Sequence, residues 1–268
     1  MANIAQFLQS VKLPVMPEVA TALIATLKNP GADVPMVRDL IAKDPALTAT
    51  LLRMANSAIF GLSRSVTTLD AAVSVVGMSQ IRARALSICM ANVFSLPPAL
   101  NRLEFWRNSM CCAGYAKYLA HAAGIDEHEA WLSGMLLRLG EIVIAQHSPG
   151  TIDAIELRPC APGERWNREE QVAGFNEGQI MAEVTFHWDF PEQVSEALRQ
   201  CAQPMAAASF SRLGAVVHLA ALLADQNSNA ADALNILPKP VTHQLGLNVE
   251  QLQGTYPDPE SFSDVSMV

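Results

Sequence analysis

The sequence predicts an all-α protein, a multi-helix bundle of about a dozen short helices. Three observations carry that reading. Period-2 alternation is scarce, and neither Asn-Gly nor Asp-Gly occurs to turn a hairpin. Cap residues repeatedly precede apolar stretches. Half of the residues are hydrophobic and only 16% are charged, so helical faces have ample material for a core.

The elements follow in chain order. Pro17 opens EVATALIATLK, because proline at a helix start lacks only an amide the helix leaves unpaired. Asp33 caps VPMVRDLIAK, and Asp44 with Pro45 starts ALTATLLRMANSA. Asn56 and Ser57 end that helix before Gly61, since both side chains bond local backbone. Thr68 caps LDAAVSVVG and Gly77 closes it. Ser79 opens QIRARALSICMANVF, which the Pro97-Pro98 pair stops. Leu132, Met135, Leu136, Leu139, Ile142 and Val143 form an apolar stripe at helical spacing, with Arg138 inside it. Asn167 caps REEQVAG with Glu170 as its capping-box partner. Pro191 opens EQVSEALRQ, and Pro204 opens MAAASFSRLGAVVHLAALLA.

The double proline places a boundary near residue 100. Residues 1–100 read as an N-terminal helical subdomain, 101–225 as a second helical subdomain and 226–268 as a C-terminal extension. The final TYPDPESFSDVSMV is acidic, lacks Lys and Arg, and reads as a disordered or loosely docked tail.

Composition narrows the function. No apolar run reaches the roughly 18 residues of a membrane span, and MANIAQFLQSVK has neither the basic start nor the apolar centre of a signal peptide. A cytoplasmic protein without a membrane partner is the expectation. The net charge of −8 is uneven: eight Lys and Arg face five Asp and Glu in residues 1–100, and ten face twenty-one thereafter. That acidic second half argues against nucleic acid as a partner. The helical pair around Asp44-Pro45 has helix-turn-helix form, but its second helix offers one arginine, Arg53, with Thr48, Thr50, Asn56 and Ser57, too little for a DNA-reading helix. Five cysteines without Cys-x-x-Cys point to reduced thiols rather than disulfides or zinc. No Gly-x-Gly-x-x-Gly, P-loop or Gly-x-Ser-x-Gly occurs. His128-Glu129 begins like His-Glu-x-x-His, yet Leu132 stands at the second histidine. No cofactor is expected.

The residues from Leu13 to Gly77 nevertheless form an ordered set. They comprise Leu13, Pro14 and Pro17; Lys43 to Leu47; Ala55 to Ala58 followed by Gly61; and Thr67 to Gly77. Phe105 to Arg107 and then Trp188, Pro191 and Glu192 follow. The set, over roughly residues 8 to 205, closely resembles the HDOD family, a degenerate branch of HD-domain phosphohydrolases from bacterial signalling proteins. The resemblance implies an HD-like second half. Catalytic relatives bind divalent metals through histidines and aspartates on facing helices and activate a water. Carried over one at a time, the early histidine falls on Asn108 and the His-Asp pair on Leu137 and Arg138, just before Gly140. A further histidine falls on Glu177, and the late His-His pair on Cys201 and Ala202.

The resemblance therefore implies a pseudoenzyme with no catalytic, cofactor or metal residue. Its role would be a non-catalytic signal-transduction module that binds signalling proteins in trans or a small regulatory ligand. The alternative is residual metal-dependent hydrolysis of nucleotides or cyclic dinucleotides. Arg53, Asn56, Arg64, Arg82 and Arg84 are the candidate partner surface. Arg138 inside an apolar stripe needs a partner. Glu177 or Glu141 could salt-bridge it, or the guanidinium could hold a small anion bidentately.

Overall fold

A computed structural model describes residues 4–11, 13–29, 31–57, 65–147, 150–157, 160–226 and 230–262. Among these residues the chain forms sixteen α-helices and no strand. The first six are α1 (Ile4–Ser10), α2 (Glu18–Leu27), α3 (Val34–Ala42), α4 (Pro45–Ala55), α5 (Leu69–Val76) and α6 (Met78–Val93). The long α7 (Arg102–Ala123) and α8 (Glu127–His147) follow, then α9 (Thr151–Glu156), α10 (Glu164–Ala173), α11 (Glu177–His187), α12 (Glu192–Gln200) and α13 (Arg212–Ala224). The short α14 (Ala230–Asn235), α15 (Lys239–Leu245) and α16 (Val249–Gly254) precede a 3-10 turn at Pro259–Phe262.

Several caps stand where the sequence places them. Asp33 accepts from the Met36 amide, Asp44 from Ala46 and Leu47, and Thr68 from Ala71. Asn56 ends α4 and does more. Its amide nitrogen donates to the carbonyls of Leu52 (2.8 Å) and Val66 (2.7 Å), and its oxygen accepts from the Val66 amide (2.7 Å).

Three helix starts differ from expectation. Gly77 both ends α5 and precedes α6, which begins at Met78 rather than after a Ser79 cap. Asn167 lies inside α10, whose start is Glu164 after Gly163. Pro204 falls in a run of turns, and α13 starts at Arg212 because Ser211 accepts from the Gly214 amide.

The centre of the molecule is the α7–α8 hairpin. Gly124, in the left-handed region at φ 64°, ends α7. Asp126 then accepts from the His128 and Glu129 amides to start α8. A Cβ at Gly134 would sit 2.9 Å from the Cys112 carbonyl and 3.1 Å from Ala113 Cα, so the glycine lets the two backbones close. Helix α13 packs on α7, while α11 and α12 pack on α8. The N-terminal helices join through α6, which packs on α8 and sets the Arg84 guanidinium 3.9 Å over the Trp131 ring. One contiguous apolar cluster runs from Phe7 to Leu252.

Candidate functional site

Where α8 crosses the start of α11, the core holds charge. The crossing depends on Gly140, because a Cβ there would lie 2.4 Å from the Glu177 carbonyl oxygen and 2.7 Å from its Cα. A capping box sets the first turn of α11. Asn176 accepts from the Gln179 amide (2.9 Å), and Gln179 accepts from the Asn176 amide (3.1 Å). Glu177 therefore enters the core at a helix N-terminus, where the dipole favours a carboxylate.

Arg138 meets it there. Its Nη1 donates to Glu177 Oε1 (3.0 Å), and its Nη2 donates to Asp225 (2.6 Å) and the Ala221 carbonyl (3.3 Å). Trp166 Nε1 also donates to Glu177 Oε1 (3.0 Å), and its ring stacks on His218 with centroids 5.2 Å apart. A second guanidinium completes the network. Arg165 reaches Glu141 (2.8 Å), Glu156 (2.7 Å) and Glu169 (3.0 Å). Glu169 also accepts from the Glu177 amide (2.8 Å). Arg138 is 4% exposed, and Glu169 and Glu177 are fully buried.

Two guanidiniums thus face five carboxylates, an acidic surplus. Burial, with the like charge of Glu177, pushes the Glu169 carboxyl up to about 8 although Arg165 opposes it. Burial also raises Glu177 against the pull of Arg138, and raises Glu141 against Arg165. Burial works against the Arg138 charge, but Asp225 and Glu177 outweigh it and its pKa is raised. Glu177 Oε2 and Arg138 Nε are buried with no hydrogen-bond partner among the described residues.

A cleft of about 760 Å³ opens beside this network, lined by residues of α7, the α9–α10 connection and the C-terminal segment. A smaller cavity of about 170 Å³ shares Asn108, Arg165 and Asp225 with it and reaches Arg138 and Glu141.

Asn108 and Arg138 line the same inner cavity, with Glu177 behind Arg138. Leu137 is fully buried among apolar side chains. Cys201 is fully buried, its thiol donating to the Leu198 carbonyl (3.1 Å), and Ala202 is half-buried. On the candidate partner surface, Arg53 is exposed, while Asn56 is committed to Leu52 and Val66. Arg82 donates to the Thr26 carbonyl (3.1 Å), and Arg84 lies on Trp131. Arg64 falls outside the described residues.

Arg165, Trp166, Glu169, His218 and Asp225 escaped sequence reasoning. The i, i+4 spacing of Arg165 and Glu169 was the one local signal for any of them. Among the described residues, no group of three or more His, Cys, Asp or Glu side chains is arranged to hold a metal ion. The donor set at the expected metal positions does not fit one either. It consists of a leucine, a guanidinium, an amide, one carboxylate bound to that guanidinium, a buried thiol and a methyl group.

Fold and site define an all-α scaffold whose core holds an arginine–carboxylate network built around Arg138 and Glu177. The chain belongs to the HDOD domain family, whose model matches residues 13–204. An uncharacterised protein of Treponema pallidum (strain Nichols) is 24% identical over 70% of this chain, and the match spans 37% of that protein's length. Among solved structures, an inferred phosphohydrolase from Shewanella amazonensis SB2B superposes with a TM-score of 0.81 at 23% identity, covering 98% of both chains. An HDOD domain protein of unknown function from Geobacter sulfurreducens gives 0.77 at 19% identity, covering 98% of this chain and 96% of that one. An inferred signal-transduction protein from Marinobacter aquaeolei VT8 gives 0.78 at 20%, covering 98% of this chain and 64% of that one. At these identities the likeness establishes the fold. No described helix is long and apolar enough to cross a membrane.

Proposed function

We propose that this chain is a non-catalytic regulatory module that acts by binding a partner protein, with the HD cavity kept as a charge-locked core. Arg138 carries the proposal. Its guanidinium stands where the resemblance expects an aspartate ligand, within 3.0 Å of Glu177 and 2.6 Å of Asp225. A dication placed there would be repelled by the arginine and would have to take those carboxylates from it. A small anion would likewise have to displace Glu177 or Asp225, inside surroundings already acidic. Family membership supports a signalling role, as does the likeness to the Marinobacter signal-transduction protein.

The name of the Shewanella protein favours a second reading, residual metal-dependent phosphohydrolysis. Metal content and turnover of nucleotides and cyclic dinucleotides, measured with Mn²⁺, Mg²⁺ or Ni²⁺ and with chelator, separate the two. The expected result is neither stoichiometric metal nor chelator-sensitive turnover, and finding both overturns the proposal. Affinity capture from source cells tests the binding half. The same partner should be recovered with the wild-type chain and with Arg138→Leu, whose effect is on stability.

A further inference from the structure

We propose that one face of α7 is a docking groove for an acidic partner segment carrying an aromatic anchor, and that the chain's own C-terminal segment is its resident competitor. The inference rests on the partner-binding reading and names the surface.

The face consists of Arg107, Cys111, Gly114, Tyr115 and Tyr118, which recur at the spacing of a single helix face. Gly114 lies inside a 22-residue helix, where glycine is disfavoured. Its missing side chain has a use. A Cβ there would fall 2.4 Å from two atoms of the Phe262 ring, so the ring rests in a notch that any other residue would fill. Tyr115 packs edge-on to the same ring with centroids 5.2 Å apart, and its hydroxyl accepts from that of Tyr256 (3.0 Å). The Cys111 thiol points at the Pro259 carbonyl (3.8 Å). Arg107 lies 3.7 Å from Glu260. The groove thus selects a ring for the notch and a carboxylate for the arginine.

The occupant stays at the surface. None of residues 253–262 is buried, whereas Gly114 and Tyr115 beneath them are. The Arg107–Glu260 pair is exposed at both ends, at 52% and 73%. Pro259 and Glu260 also form part of the wall of the 760 Å³ cleft, so release of the segment widens the approach to Asn108 and Arg165. A partner with the same chemistry at higher local concentration displaces the segment by mass action.

The test uses the full chain and a fluorescent peptide with the sequence of residues 255–262, TYPDPESF. The variant Phe262→Ala/Glu260→Lys, which frees the groove, should bind the peptide at least tenfold more tightly than wild type. Adding Arg107→Glu, an exposed change that leaves folding intact, should cancel the gain, as should adding Gly114→Leu. Thiol labelling supplies an independent readout. Cys111 should react at least tenfold faster in the freed variant, with the fully buried Cys112 and Cys201 still protected. The proposal is overturned if the freed, folded variant does not bind the peptide, or binds it regardless of Arg107→Glu and Gly114→Leu. Labelling of Cys112 and Cys201 together with Cys111 also overturns it, because that marks global opening. If peptide binding fails while both chains still capture a partner from cells, this surface falls and the binding reading stands. If neither chain captures one, the binding reading falls.

Discussion

Arg138 is the residue on which the site turns. Breaking a buried ion pair by removing one member leaves the other charge uncompensated, at a cost of about 3–5 kcal/mol. Arg138→Leu strands Glu177, so its unfolding free energy from urea titration at pH 7.5 should fall by that order. Adding Glu177→Gln should recover part of the loss; if the double variant is no better than the single one, the pairing account fails. Glu169 makes a second residue-scale prediction. Its carboxyl is raised from 4.5 to about 8, chiefly by burial and then by Glu177. The folded chain therefore keeps a proton that the unfolded chain releases above about pH 4.5. The stabilisation is complete below that pH and is lost as pH rises toward 8. His218, lowered by burial, acts in the opposite sense below its ordinary value of 6.5. Between 6.5 and 8 the change therefore reports the Glu169 carboxyl. Stability should decline across that window, and Glu169→Gln should flatten the slope; denaturant midpoints at several pH values measure both.

At the scale of elements, the α8–α11 crossing depends on a missing side chain. Gly140→Ala improves helix propensity by up to about 1 kcal/mol, yet its Cβ collides with the backbone of Glu177. Overpacking typically costs about 1–3 kcal/mol, and backbone cannot move aside as a flexible side chain can. A net drop in Tm is the expected outcome, and an unchanged or higher Tm contradicts the crossing geometry. Caps at Asp33, Asp44 and Thr68 were legible because capping is local: a side-chain oxygen bonds an amide two or three residues on. The starts assigned to Ser79, Asn167 and Pro204 were not: α6 follows Gly77, α10 follows Gly163, and α13 follows the Ser211 cap.

At the scale of the whole molecule, one apolar cluster joins the N-terminal helices to the α7–α8 hairpin through α6. A shared core predicts one cooperative unfolding transition. All four tryptophans, Trp106, Trp131, Trp166 and Trp188, lie beyond residue 100, whereas helicity is spread along the chain. Tryptophan fluorescence and far-ultraviolet circular dichroism should therefore trace coincident urea transitions. Separate midpoints would show that the two blocks unfold independently.

The sequence by itself determined the helical class, many of the caps and the family, because each is written in short-range spacing or in ordered motifs. It also showed that Arg138 stands in an apolar stripe and must find a counter-charge. Which counter-charge was a tertiary decision. Glu177 is 39 residues away and Asp225 is 87, and both reach the guanidinium only because α11 and α13 pack beside α8. The pairing of Glu141 was decided the same way: it lies three residues from Arg138, yet its carboxylate is held by Arg165 from α10. The notch at Gly114 likewise had no meaning until Phe262, 148 residues on, lay in it. Local chemistry states what a side chain requires, and only the packing of distant helices states which group supplies it.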